Sequence, residues 1–121
     1  TLDFPSTLDI VCLQETWALT PIHIPAFTGL HNLAKKPHLF GRPSRGIATY
    51  IRHSTKATLT AIRQNTDAIL AAVIRGYRLH GSVKSILIIN IYFNHHGRQE
   101  LQQLDNIITI LETLDVENLS M

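Results

Sequence analysis

Residues 9–16 read DIVCLQET, a short apolar run that ends in a glutamine and a glutamate. Isoleucine, valine and leucine within a few positions favour a buried strand over residues 8–13. A strand that ends in Gln14 and Glu15 carries a carboxylate to the rim of a sheet, where the scaffold fixes its position. Such a carboxylate suits Mg²⁺, which prefers oxygen ligands and often takes only one or two protein carboxylates. The alternative is that Glu15 simply points into solvent, as most surface carboxylates do.

The composition indicates one small globular domain. The chain has 121 residues, of which 45% are hydrophobic and 17% charged, and this balance excludes a disordered chain. The net charge of +2 is compatible with a polyanionic partner. Cys12 has no disulfide partner in the chain, and its apolar neighbours predict a buried thiol in a reducing compartment. Because no signal peptide or membrane span is recognisable, we expect an intracellular protein, nuclear or cytoplasmic, with no membrane partner.

Four further segments have the composition of strands. They are residues 28–33, 46–52, 68–77 and 84–93, and the last of these, KSILIINIYF, has the strongest pattern. The link RLHGSVK between the last two strands predicts a hairpin loop around Gly81 and Ser82. Short links between neighbouring strands predict antiparallel pairing.

One amphipathic helix is predicted near the C-terminus. Apolar side chains recur there at intervals of three and four, with polar residues between them: Leu101, Leu104, Ile107, Ile108, Leu111 and Leu114. This stripe needs a partner surface, most simply a face of the sheet. The predicted fold class is therefore α/β, a sandwich of mainly antiparallel strands with one clear helix.

The motifs, taken in order, resemble those of the endonuclease/exonuclease/phosphatase superfamily, which has the exonuclease III and DNase I-like fold. DIVCLQET resembles the family segment D-I-[IV]-x-L-Q-E-T. Residues 44–52, SRGIATYIR, resemble its strand GG-[VI]-A-x-[YF]-[VI], with Arg45 in the place of the first glycine. Residues 89–92, INIY, resemble [VI]-N-x-Y. The resemblance covers nearly the whole chain and has the character of the nuclease domains of non-LTR retrotransposons.

The resemblance implies a DNase I-like α/β sandwich that cleaves phosphodiester bonds of DNA with Mg²⁺ as cofactor. Glu15 matches the metal-binding glutamate of the family. Tyr92 matches a tyrosine that lies near the scissile phosphate, and Asn90 of the same strand is expected to support the site. Arg98, in HHGR, falls where some members place a DNA-contacting arginine.

The chain also departs from the family pattern. A first strand with an active-site asparagine does not precede LQET, and the chain contains no Gly-Asp dipeptide of a G-D-F-N segment and no Ser-Asp-His. We therefore expect residues 1–121 to be a partial domain, the N-terminal half, that lacks the first strand and the C-terminal catalytic half and is inactive alone. Two alternatives stay open: a non-catalytic truncated remnant, and part of a phosphatase of small phosphorylated substrates on the same fold. The basic charge balance favours nucleic acid.

Other polar motifs have plainer interpretations. Residues 41–46, GRPSRG, have the spacing of a phosphate loop, but Ile47 stands where that loop requires lysine. They predict a polar turn whose arginines, Arg42 and Arg45, could contact phosphates. The pair His95-His96 predicts a surface turn rather than a zinc site. Trp17 is interpreted as a packing residue rather than a base-stacking platform.

Overall fold

The protein folds into two small antiparallel sheets. The computed structural model describes residues 4–34, 45–62 and 69–92 and the single positions 102, 105, 108 and 109. Sheet A has the strand order β1-β3-β2 and sheet B the order β4-β5-β6, and every pairing is antiparallel. The strands are β1 (Ile10–Gln14), β2 (Phe27–Asn32), β3 (Ile47–Arg52), β4 (Thr58–Ala61), β5 (Ile69–Leu79) and β6 (Ser82–Ile91).

The predicted antiparallel strands are confirmed. Each of the five predicted segments coincides with a strand, with ends displaced by one or a few residues. Sequence reasoning missed β4, because its four residues alternate poorly and only Leu59 is partly buried. The predicted hairpin is also present, one residue earlier than expected. His80 and Gly81 have φ angles of 50° and 80°, as the two central residues of a type I′ turn require.

The predicted helix lies mostly outside the described residues. Gln102, Asp105, Ile108 and Thr109 have helical backbone, and the Thr109 hydroxyl donates a hydrogen bond to the Asp105 carbonyl at 2.9 Å. Ile108, a member of the predicted apolar stripe, is 39% exposed. Within the described part of the chain, no helix has the length and apolar character needed to cross a membrane.

Both faces of the two central strands are covered, which explains their continuous apolar sequences. The layer between the sheets comes from alternate residues of β3 and β5, all at most 2% exposed: Ile47, Thr49, Ile51, Leu70, Ala72 and Ile74. The outer face of sheet A carries Ala48 and Tyr50, which pack with Ile24 and Phe27. The outer face of sheet B carries Ile69 and Ala71. Strands that are apolar on both sides therefore lie at the centre of each sheet.

A buried amide joins the two sheets at one end. Asn90 of β6 is 3% exposed, and its Nδ2 donates hydrogen bonds to the carbonyls of Leu13 (3.2 Å) and Ala48 (3.1 Å) in sheet A. Its Oδ1 accepts a hydrogen bond from Gln14 Nε2 at 3.2 Å. Because buried polar groups need partners, this network fixes the position of β6 relative to β1 and β3.

Two further hydrogen bonds join the sheets. The Tyr77 hydroxyl of β5 donates to Asp9 Oδ2 at 2.8 Å, beside the start of β1. Asn32 Nδ2, at the end of β2, donates to the Ile69 carbonyl at 3.0 Å. The aspartate that opens the DIVCLQET segment therefore has a structural role in holding sheet B against sheet A.

Cys12 corrects a prediction, because its thiol is exposed rather than buried. Its side chain lies on the face of sheet A that contains Thr49, whose Oγ1 is 4.0 Å from the Cys12 sulfur. Among the described strands, however, β1 is at the edge of its sheet. An apolar neighbourhood in sequence does not reveal that a strand is at an edge.

Replacing Asn90 should destabilise the protein by an amount that depends on the new side chain. Asn90→Ala should lower the free energy of unfolding by about 2 kcal/mol, because it removes hydrogen bonds from buried partners. Asn90→Asp should cost about 3 kcal/mol or more, because a carboxylate would face the carbonyl oxygens of Leu13 and Ala48. Urea denaturation measures both values. Equal stability of the wild type and Asn90→Asp would contradict the assigned hydrogen bonds.

The Cys12 thiol should react in the native state. Exposure predicts that a thiol-reactive dye labels the folded chain at a rate within about tenfold of the rate in denaturant. Stopped-flow absorbance with and without urea measures the two rates, and Cys12→Ser is the blank. Labelling that occurs only on global unfolding would show that the thiol is covered.

Candidate functional site

The candidate site forms where β1 and β6 end side by side. Gln14, the last residue of β1, donates hydrogen bonds through Nε2 to Asn90 Oδ1 and to the carbonyl of Ile91, the last residue of β6. Glu15 follows Gln14, and Tyr92 follows Ile91. The Tyr92 hydroxyl donates a hydrogen bond to the Glu15 carboxylate. Glu15 and Tyr92, which the sequence assigns to one site, therefore lie in contact.

Trp17 also contacts the carboxylate. Its indole Nε1 donates a hydrogen bond to Glu15 Oε2 at 2.6 Å, and its side chain is 50% exposed. Trp17, interpreted from sequence as a packing residue, is therefore also a hydrogen-bond donor to Glu15. The turn after β1 holds the ring at the rim of the sheet, where one edge meets Glu15 and much of the surface meets solvent.

The backbone around Glu15 is strained. Glu15, Trp17 and Arg45 have φ angles of 52°, 54° and 68°, in the left-handed region that residues with a Cβ rarely adopt. Two backbone hydrogen bonds of 3.0 Å hold the turn, from Thr16 N to the Gly46 carbonyl and from Trp17 N to the Arg45 carbonyl. Left-handed residues of this kind are concentrated at functional sites, where the surrounding structure enforces them.

Gly46 is required for this arrangement. Its φ angle is 95°, and a Cβ at this position would collide with Thr16 Oγ1 and approach Trp17 N to 3.2 Å. The glycine that the sequence places at the start of β3 therefore lets the segment after β1 approach the backbone closely. Any larger residue would displace the turn that carries Glu15.

The charges of the site keep Tyr92 protonated. The pKa of Tyr92 is raised because its hydroxyl donates to Glu15 and because the negative carboxylate disfavours a phenolate nearby. The positive charge of Arg45 acts in the opposite direction and lowers the pKa of Tyr92. At neutral pH, Tyr92 is therefore a neutral hydrogen-bond donor and not a nucleophile.

Glu15 fits the role of a single magnesium ligand. Mg²⁺ commonly binds one or two protein carboxylates and completes its shell with water and phosphate oxygens. Glu15 is only partly buried, and an ionised carboxylate has about four lone-pair sites, more than the two donors that contact it here. No group of three or more His, Cys, Asp or Glu side chains suited to a metal occurs among the described residues. A protein-only metal cage is therefore not present in that part of the chain.

The other predicted site residues have different positions. Asn90 is buried, and its amide is hydrogen-bonded to Gln14 and to the Ala48 carbonyl of sheet A. Arg98, the pair His95-His96 and Arg42 lie outside the described residues. Arg45 lies beside the Glu15–Tyr92 pair, a position that the sequence alone did not assign. The sequence signal that could have indicated this position is the dipeptide Arg45-Gly46, which directly precedes β3. The strand β3 begins beside the end of β1.

Comparison with known proteins gives no relative. No family model, no curated protein and no solved structure matches this chain.

Titration of the tyrosines should detect the Glu15–Tyr92 bond. All three tyrosines have pKa values raised above 10.0: Tyr50 by burial, and Tyr77 and Tyr92 chiefly by hydrogen bonds to carboxylates. The midpoints of the phenolate absorbance should therefore lie above pH 10, and Glu15→Gln should lower the pKa of one tyrosine. Asp9→Asn is the matched control, since it should change Tyr77 instead.

The same shifts have a defined effect on stability. Because the folded-state pKa values exceed the unfolded value, their stabilisation is complete below pH 10 and is lost as the pH rises through the raised values. Denaturation curves above pH 10 measure this loss. If Glu15→Gln leaves the whole phenolate titration unchanged, Tyr92 does not donate to Glu15.

Proposed function

We propose that this chain forms part of a DNase I-like α/β domain that cleaves phosphodiester bonds of DNA with Mg²⁺, as in the endonuclease/exonuclease/phosphatase superfamily and its retrotransposon nucleases. The observation that supports this proposal is the contact between Glu15 and Tyr92. The two residues belong to separate motifs and to different sheets, yet they share one exposed strand-end site. A carboxylate and a neutral phenol side by side suit metal-assisted chemistry on a phosphate.

Each residue of the site has a defined role in this proposal. Glu15 would hold Mg²⁺, which neutralises charge on the phosphate that is attacked. The Tyr92 hydroxyl, protonated at neutral pH, would donate a hydrogen bond to a non-bridging phosphate oxygen. Asn90 and Gln14 position the two strand ends, so that neither catalytic group depends on a flexible loop.

Activation of water needs residues beyond this set. The chain contains no Gly-Asp dipeptide and no Ser-Asp-His, which the family uses for this step. One carboxylate cannot both bind the metal and take a proton from water. We therefore assign water activation to a further segment of the domain. Metal and phosphate binding are assigned to these 121 residues.

DNA is preferred here to a small phosphorylated substrate for reasons of charge and shape. The chain carries a net charge of +2, and the indole of Trp17 that contacts Glu15 is half exposed. An open rim accommodates a polymer, whereas small ligands are usually bound in concave sites. A phosphatase on the same fold would instead require an enclosed site around Glu15.

Metal binding can be tested directly with the single tryptophan of the chain. Trp17 donates a hydrogen bond to Glu15, so Mg²⁺ at the carboxylate should change its fluorescence. We expect a saturable change in the wild type and none in Glu15→Gln. Asp9→Asn removes a carboxylate at the other end of β1 and should leave the titration unchanged. A Mg²⁺ response that survives Glu15→Gln would exclude Glu15 as the ligand.

A DNA cleavage assay distinguishes the contribution of these 121 residues from that of the water-activating segment. With supercoiled plasmid and Mg²⁺, the 121-residue chain should not produce nicks. In a longer protein that also supplies the water-activating segment, Glu15→Gln should lower kcat by about 10²-fold or more, because the metal contributes several kcal/mol to transition-state stabilisation. Metal-dependent nicking by the 121-residue chain, abolished by Glu15→Gln, would show that these residues already contain a complete site.

A further inference from the structure

A cavity lies on the outer face of sheet A, where residues 21–24 pack against the sheet. Its volume is about 260 Å³, and its lining includes the buried residues Ile24, Phe27 and Tyr50. An engineered apolar cavity of about 150 Å³ is large enough to bind benzene. The cavity on sheet A therefore has room for a ligand with a single ring, and it shares no residue with the Glu15–Tyr92 site.

Two aromatic rings of the cavity are held in place by a glycine. Gly29 of β2 lies opposite Tyr50 of β3. A Cβ on Gly29 would lie 2.6 Å from Tyr50 Cε1 and 2.8 Å from His31 Cε1, so both rings rest directly on the glycine. The rings of His31 and Tyr50 meet edge to face, with centroids 5.3 Å apart and an interplanar angle of 86°. Packing therefore fixes the His31 imidazole in the wall of the cavity.

Hydrogen bonds determine which nitrogen of His31 carries the proton. The Tyr50 hydroxyl donates to the Ile22 carbonyl at 2.9 Å. Because a hydroxyl has one proton, its oxygen must accept in its 3.0 Å contact with His31 Nε2. In the neutral imidazole the proton is therefore on Nε2, and Nδ1 is an acceptor. No group among the described residues hydrogen-bonds to this Nδ1.

We propose that this cavity binds a small ligand with one aromatic ring and one N–H or O–H donor, which bonds to His31 Nδ1. The apolar lining accommodates the ring, and the single acceptor fixes its orientation, as a few polar groups do in most small-molecule sites. Tyr50 is a positioning residue in this proposal, because it holds the imidazole in the tautomer that accepts. The inference does not depend on the proposed nuclease function.

The experiment compares phenol with anisole, which has the same ring but no donor. Long-range ¹H–¹⁵N spectra of the ¹⁵N-labelled chain at pH 8 show which ring nitrogen of each histidine is protonated, and His31→Phe assigns the His31 signal. The Gly29 amide signal follows binding of either probe. We expect His31 in the Nε2-protonated tautomer. Phenol should bind saturably, about 5-fold more tightly than anisole, as one hydrogen bond predicts, and should shift the Nδ1 resonance.

Two variants test whether His31 is the acceptor. His31→Phe keeps a ring on Gly29 and removes the acceptor, so it should bind phenol and anisole with equal affinity. His23→Phe is the matched control, because it removes the other imidazole that lines the cavity and should keep the 5-fold preference. Thermal melting of both variants checks that they are folded.

Three results would overturn the inference. They are equal affinity of the wild type for phenol and anisole, a preference for phenol that persists in His31→Phe, and a His31 spectrum with the proton on Nδ1. The first and third need only the wild-type chain, so the proposal stays testable if His31→Phe does not fold.

Discussion

The hydrogen bonds of the Asn90 amide fix the geometry on which the rest of the structure depends. Its donors reach two carbonyls of sheet A, and its oxygen accepts from Gln14. Apolar contacts between sheets tolerate sliding, but a buried amide with directional partners does not. Because Gln14 also donates to the carbonyl of Ile91, the ends of β1 and β6 are held together. Glu15 and Tyr92 therefore lie in contact because these hydrogen bonds join the two sheets.

The strands could be predicted from sequence because their signal is local. Apolar runs in residues 46–52, 68–77 and 84–93 predict three strands, and β3, β5 and β6 agree. Both faces are buried in β3 and in the first half of β5, whereas only Asn90 is buried in β6. The position of a strand within its sheet has no local signal. Cys12 was therefore placed in the core, although β1 is an edge strand among those described. The strand β4 was missed because its four residues give a weak pattern, and its pairing with β5 defines it instead.

Only those site residues that belong to a recognisable sequence motif could be predicted. Glu15 and Tyr92 were assigned by resemblance, and the structure brings them into contact. The positions of Trp17 and Arg45 depend on φ angles and on which strand ends meet, and neither property can be read from residue types. An arginine directly before a glycine at the start of a strand looked like an ordinary polar turn. Its significance depends on the backbone hydrogen bond that joins it to Trp17.

The backbone at the rim beside Glu15 is strained. Three residues with a Cβ, Glu15, Trp17 and Arg45, adopt left-handed backbone around one carboxylate. At about 1 kcal/mol or more each, their combined cost is a considerable part of the 5–15 kcal/mol that stabilises a typical domain. The hydrogen bonds from Thr16 N and Trp17 N to the carbonyls of Gly46 and Arg45 offset part of that cost. The side chains that incur it are a carboxylate, an indole and a guanidinium, and the indole donates a hydrogen bond to the carboxylate.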